Sequence, residues 1–129
     1  MTISDGSQRI LLVDDEPDIR KNLQVLLERH GHQVLTAANC REAIEHVDRE
    51  DDHPFRVAIV DIRLPDGSGI DVVKVVKQRS PKTICLVITA YPTDENEHDA
   101  RAAGAQQLFV KPFSVEQLMQ FIEKGFPAS

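Results

Sequence analysis

The sequence predicts an α/β domain: one parallel sheet with helices on both faces. Three observations carry that prediction. Five short runs of apolar character, at residues 9–13, 33–36, 57–60, 83–88 and 107–110, each give way to a stretch of helical pattern. Strands that alternate with helices pair in parallel through right-handed crossovers, which puts helices on both faces. No Pro-, Gly- or Ser-rich linker interrupts the alternation. A single domain over residues 1–129 is therefore expected, with its core at about residues 8–125 and a short polar tail at each end.

The elements follow in order. Arg9 opens the run Ile10-Leu11-Leu12-Val13, and Asp14-Asp15-Glu16-Pro17 comes next. Pro17 suits the first helical position, where its missing N–H costs nothing. Ile19, Leu23, Leu26 and Leu27 then form one helix face, which Gly31 stops. Gln33–Thr36 is less apolar and reads as an edge strand. Asn39 with Glu42 resembles a capping box, opening a helix with Ala43, Ile44 and Val47 inward. Glu50-Asp51-Asp52-His53-Pro54 reads as a charged turn. Val57-Ala58-Ile59-Val60 is a buried strand that runs into Asp61 and a Pro/Gly loop. Ile70, Val73 and Val76 mark a third helix, ended before Ser80-Pro81. Thr83–Ile88 is the fourth strand.

Residues 94–103 are helical in propensity, with acids at the amino end where the dipole favours them. Ala100, Ala102 and Ala103 are their only apolar side chains, so this helix should be weakly held. Gln107–Val110 is the fifth strand. Ser114 with Gln117 caps a last helix, with Leu118, Phe121 and Ile122 inward and Gly125 past its end. The runs from Ile10, Val57 and Ile84 are the most apolar and should be central. That arrangement is a flavodoxin-like doubly wound (βα)5 fold of strand order 2-1-3-4-5, whose site lies at the carboxyl ends of the strands.

Composition narrows the function classes. Apolar residues make up 41% and charged residues 28%, an ordinary globular balance, and the net charge of −6 argues against a nucleic-acid surface. No apolar run could span a bilayer, and the polar start is no signal peptide. The two cysteines lack metal-ligand spacing: Cys85 reads as core, and Cys40 is expected at a helix–sheet contact. A reduced, cytoplasmic setting follows. The five histidines are read as solvated and none is assigned a role.

Four of the predicted strands deliver a polar residue to one rim: Val13 is followed by Asp14 and Asp15, Val60 by Asp61, Ile88 by Thr89 and Val110 by Lys111. Two carboxylates about 4 Å apart repel by roughly 4 kcal/mol at an effective dielectric near 20, so such a cluster needs compensation. Three carboxylates, one lysine and one divalent cation sum to zero. Oxygen-only ligands point to Mg²⁺. Carboxylate nucleophile, Mg²⁺, ammonium and hydroxyl together suit phosphoryl transfer onto an aspartate.

The motifs Leu12-Val13-Asp14-Asp15-Glu16, Asp61 to Gly69, Ile88-Thr89-Ala90, Ala102-Ala103-Gly104-Ala105 and Lys111-Pro112-Phe113 stand in order along the chain. In these the sequence resembles the receiver domain of two-component response regulators. The resemblance implies that Asp61 is the phosphoacceptor, taking its phosphoryl group from a phosphohistidine. It implies Mg²⁺ held by Asp15, Asp61 and the Arg63 backbone carbonyl, with Asp14 acting through water. Lys111, on a cis bond to Pro112, and the Ala90 N–H would meet the phosphoryl oxygens. Thr89 and Phe109 would be the switch pair, Phe109 moving inward when Thr89 moves. Partners would be a sensor histidine kinase or histidine phosphotransfer protein, and an output domain or partner protein on the face of helix 94–103, the fifth strand and the last helix. A phosphorylation-linked dimer is a further expectation, and the domain is expected to be a phosphoacceptor, not an enzyme, that takes part in its own phosphorylation and dephosphorylation.

Three other functions would need different residues. An aspartate-nucleophile phosphohydrolase would carry a second acid two residues after Asp61, where Arg63 stands. A nucleotide- or flavin-binding module would need a Gly- or Ser/Thr-rich loop after the first strand, where Asp14-Asp15-Glu16-Pro17 stands. A docking receiver that works without phosphorylation would lack part of the rim, and none is missing. Arg63 and Tyr91, two residues beyond Asp61 and Thr89, are expected to shield an acyl phosphate from water.

Overall fold

The computed structural model describes residues 8–49 and 55–124. In chain order the strands are β1 (Arg9–Val13), β2 (Gln33–Ala37), β3 (Val57–Asp61), β4 (Arg63–Leu64), β5 (Gly67–Ser68), β6 (Ile84–Thr89) and β7 (Gln107–Val110). The helices are α1 (Pro17–Arg29), α2 (Cys40–Arg49), α3 (Gly69–Arg79), α4 (Asp94–Ala103) and α5 (Val115–Lys124). Five strands pair in parallel in the order β2-β1-β3-β6-β7, while β4 and β5 form a small antiparallel ladder of their own. With that ladder set aside, the order is the predicted 2-1-3-4-5.

Period-two alternation along the central strands splits the core in two. Leu11, Val13, Ala58, Val60, Cys85 and Val87 face the side covered by α2, α3 and α4. Ile10, Leu12, Val57, Ile59, Leu86 and Ile88 face the side covered by α1 and α5, where Leu23, Leu27, Leu118 and Ile122 meet them. Strands buried on both faces have no polar side, which is why these runs are continuously apolar. The predicted capping box forms: Asn39 Oδ1 accepts the Glu42 N–H at 2.8 Å, and Glu42 Oε1 accepts the Ala38 N–H at 2.8 Å. Ser114 Oγ accepts the Gln117 N–H at 3.2 Å. As expected of so alanine-rich a helix, α4 buries only Ala100.

The structure corrects several expectations. The second and fourth strands reach one residue further than predicted and take in Ala37 and Thr89, because pairing of Val13 with Ala37 and of Thr89 with Val110 continues the ladders. His32 is buried, not solvated: its Nδ1 accepts the Gln8 N–H at 3.2 Å, and its Nε2 lies 3.5 Å from Glu123. His46 Nε2 sits 2.9 Å from the Thr36 carbonyl. Cys40, the first residue of α2, lies at the expected helix–sheet contact, packed against the core with its Sγ 3.5 Å from the Ser68 carbonyl of β5. Burial pushes the Cys85 thiol up to about 12; burial and then the Asp66 charge push Cys40 up to about 11. Both cysteines are free, and neither thiol ionises near neutral pH. The charged turn at Glu50–Pro54 and Gly125 lie outside the described residues. Among the described residues no helix is long and apolar enough to cross a membrane.

Candidate functional site

Register brings the predicted residues to one level. Val13 pairs with Ala37 and Val60, Asp61 with Ile88, and Thr89 with Val110, so the next residues out from β1 and β7 reach the rim beside Asp61. Backbone bonds fix each exit. The Asp14 N–H donates to the Ala37 carbonyl at 3.1 Å, that of Ile62 to Ile88 at 3.1 Å, and that of Lys111 to Thr89 at 2.8 Å. Arg20, on α1, donates its Nη1–H to the Asp14 carbonyl at 2.7 Å. The Lys111–Pro112 bond is cis, as expected.

Lys111 is the centre of the charge arrangement. Its Nζ lies 2.8 Å from Asp61 Oδ2, 2.8 Å from Glu16 Oε1 and 3.2 Å from Asp14 Oδ2. Burial disfavours the ammonium, but hydrogen bonds to Asp61 and Glu16 and the charges of Asp14 and Asp61 outweigh it, so the Lys111 pKa is raised. Asp14 is buried, and its pKa is raised by that burial first, against the opposing Glu16 N–H bond, and then by the Asp61 charge. Its Oδ1 accepts the Glu16 N–H at 2.9 Å, whereas its buried Oδ2 completes no hydrogen bond despite the attraction of Lys111.

Carboxylate oxygens of Asp14, Asp15 and Asp61 all lie within 4.8 Å of one another. A buried carboxylate oxygen lacking a donor, beside two more carboxylates and no His or Cys, fits a hard divalent cation. The predicted charge count needs one correction. Glu16 joins the cluster through Lys111, so the four carboxylates and one ammonium sum to −3, and a divalent cation brings the rim to −1.

The rim opens on a cavity of about 270 Å³ lined by Asp15, Glu16, Asp61, Arg63, Ala90, Tyr91 and Lys111. At its mouth the Arg63 guanidinium lies 4.4 Å from the Tyr91 ring centroid, a cation–π stack. Thr89 is buried, and its hydroxyl accepts the Tyr91 N–H at 2.9 Å, the bland turn-forming role of a threonine. Phe109 is already inside, edge-on to Phe121 at 5.5 Å and tilted against Phe113 at 6.2 Å, so in this conformation it has no outward position to leave.

Four contributors were not singled out from the sequence. Glu16, the N-cap of α1, and Arg20, in its first turn, each read as ordinary surface. Gly69 begins α3, donates its N–H to the Ile62 carbonyl at 2.6 Å and lets α3 press against the end of β3. Asp66 accepts the N–H groups of Cys40 at 2.8 Å and Arg41 at 3.0 Å, which lowers its pKa and staples the loop after Asp61 to the amino end of α2. An Asp in a Pro/Gly loop was the one signal for it.

Comparison with known proteins agrees with this geometry. Residues 10–123 match the model of the response regulator receiver domain. The chain is 41% identical over 115 residues to the response regulator protein PilR of Pseudomonas aeruginosa, covering 89% of this chain and 25% of that protein. It is 32% identical over 111 residues to the transcriptional regulatory protein PhoP of Escherichia coli, covering 86% and 48%. It thus spans between a quarter and a half of the length of these relatives. Among solved structures, a CheY-like receiver domain protein from Methanospirillum hungatei superposes with a TM-score of 0.84 at 29% identity, over 91% of each chain. The beryllofluoride-activated NtrC4 receiver domain dimer gives 0.80 at 34% identity, over 90% of this chain and 93% of that one.

Proposed function

Because the chain belongs to the response regulator receiver family, we propose that it is a phosphoacceptor whose Asp61 takes a phosphoryl group from the phosphohistidine of a sensor histidine kinase or histidine phosphotransfer protein. The observation that carries this reading is the Lys111 ammonium 2.8 Å from Asp61 Oδ2, in a rim of carboxylates that fits a divalent cation. An Asp61 carboxylate oxygen attacks phosphorus; the new P–O bond forms as the P–N bond breaks, and the imidazole leaves with the electron pair. Lys111 and the Ala90 N–H take up phosphoryl oxygens. Mg²⁺, held by the carboxylates of Asp14, Asp15 and Asp61 and the Arg63 carbonyl, would neutralise charge on the transferring group.

The modification removes the Asp61 carboxylate charge and adds up to about −2, so the rim becomes more negative by about one charge. Thr89 would release the Tyr91 N–H to donate to the phosphoryl group. The loop between β6 and α4 would follow, and α4, which buries one alanine, is the element that repacks most easily. The face of α4, β7 and α5 is then the output surface, for an output domain, a partner protein or a second copy of the chain. The reading places one receiver domain over residues 1–129, in the cytoplasm. The phosphohydrolase alternative is disfavoured because Arg63, stacked on Tyr91, holds the place of a second acid.

Incubation with acetyl phosphate and Mg²⁺ should give a single phosphoryl adduct by intact mass, mapped to Asp61 by peptide sequencing. An adduct on any other residue would refute the site. Arg63 and Tyr91 are expected to slow hydrolysis by covering the cavity. Arg63→Ala or Tyr91→Ala should hasten loss of the adduct about three- to tenfold, since losing one shielding contact is worth on the order of 1 kcal/mol. Unchanged decay in both variants would remove that role.

A further inference from the structure

We propose that Glu16 is an electrostatic brake on phosphoryl transfer: it competes with an incoming phosphoryl oxygen for the Lys111 ammonium, and its charge opposes anionic donors. This inference rests on Asp61 being the phosphoacceptor. An ammonium has three N–H donors, and three carboxylates surround Lys111 Nζ: Asp61 at 2.8 Å, Glu16 at 2.8 Å and Asp14 at 3.2 Å. Two of the three N–H groups are hydrogen-bonded to Asp61 and Glu16, and Asp14 Oδ2 draws the ammonium by charge without completing a hydrogen bond, so a phosphoryl oxygen that binds Lys111 competes with these carboxylates for its charge. The Asp14 side chain is fully buried and that of Asp61 only 7% exposed, whereas that of Glu16 is 56% exposed. Water can solvate Glu16 when it lets go, so Glu16 is the partner that yields.

A purely structural role does not account for this side chain. Glu16 occupies the N-cap of α1, a position where Ser, Thr, Asp or Asn would satisfy a free helix N–H, yet it makes no side-chain cap bond. Its carboxylate reaches instead to a lysine 95 positions away. It lines both the cavity above Asp61 and the adjoining groove between α1 and the segment Pro112–Val115, so a donor approaching from either side meets it. Once displaced, the carboxylate faces a phosphoryl group across the space Lys111 had screened.

Acetyl phosphate tests the idea: an Asp61 oxygen bonds to phosphorus, the P–O bond to the acetyl group breaks, and acetate leaves with the electron pair. At saturating Mg²⁺ and low ionic strength, Glu16→Gln should raise the phosphorylation rate about three- to tenfold, a gain that shrinks as salt screens the charge. Glu16→Ala should act in the same direction. Glu45→Gln, an exposed acid on α2, should change nothing and so rule out a general net-charge effect. A hydrogen-bonding role alone would leave Glu16→Gln at the wild-type rate; that result, or a slower Glu16→Gln, overturns the proposal while the Asp61 reading stands. Wild-type protein that takes no phosphoryl group at Asp61 would overturn both.

Discussion

Gly69→Ala is expected to destabilise the fold by about 3 kcal/mol, the upper end of what inserting atoms into a packed site costs, and to displace Asp61. The backbone at Gly69 is not left-handed, so the requirement for glycine here is steric. A Cβ at this position would fall within the van der Waals envelope of the Asp61 carbonyl and lie 2.8 Å from Val60 Cγ1. Neither can retreat cheaply. Asp61 is the last residue of β3, and Val60 is fully buried between β1 and β6. The Gly69 N–H also holds the Ile62 carbonyl, so moving α3 away would break that bond. Urea unfolding measures the stability loss, and Mg²⁺ titration followed by Tyr91, the chain's one tyrosine in the absence of tryptophan, measures the displacement of the rim. A Gly69→Ala protein with the wild-type midpoint and Mg²⁺ affinity would show that the β3–α3 junction has slack.

Gly69 also marks where sequence reading stopped. The sheet order was legible because burial on both faces leaves Ile10–Val13, Val57–Val60 and Ile84–Ile88 without polar residues, whereas the runs starting at Gln33 and Gln107 keep some. The rim followed, since parallel strands in register bring Asp61, Thr89 and the residues after Val13 and Val110 to one edge. What a sequence pattern does not carry is the direction of side chains beyond the strand ends. The turn of the Thr89 hydroxyl toward Tyr91, the inward packing of Phe109 and the reach of Glu16 to Lys111 are each set by tertiary contacts. His32 was misread for a related reason: a polar ring beside a glycine looks solvated, yet α5 brings Glu123 over it. The Asp66 staple depends likewise on where the loop after Asp61 folds back.

Lys111→Met is expected to slow phosphorylation of Asp61 by about 100-fold, the scale of losing one preorganised charge at a reacting group. It should also cost about 3 kcal/mol of stability at neutral pH, because it strands a mostly buried group of carboxylates. The methionine keeps much of the side-chain bulk, so both losses report the charge. The pH dependence identifies the carboxylate responsible. Folding raises the pKa of Asp14 above its ordinary 3.8, so in the window between the two values the folded state binds more protons than the unfolded chain. Stability therefore falls as pH rises through that window, and the penalty is complete above the raised value. Lys111 works in the opposite sense: its raised pKa contributes stability that is complete below 10.5 and lost only above that. Removing it leaves the Asp14 penalty unopposed, so Lys111→Met should lose more stability than wild type as pH rises above the ordinary Asp value of 3.8. Adding Asp14→Asn to Lys111→Met should restore most of the stability while phosphorylation stays slow, since the amide removes the stranded charge but supplies no ammonium. If the double variant remained as unstable as Lys111→Met, the destabilisation would arise from packing around residue 111 and not from the charge of Asp14.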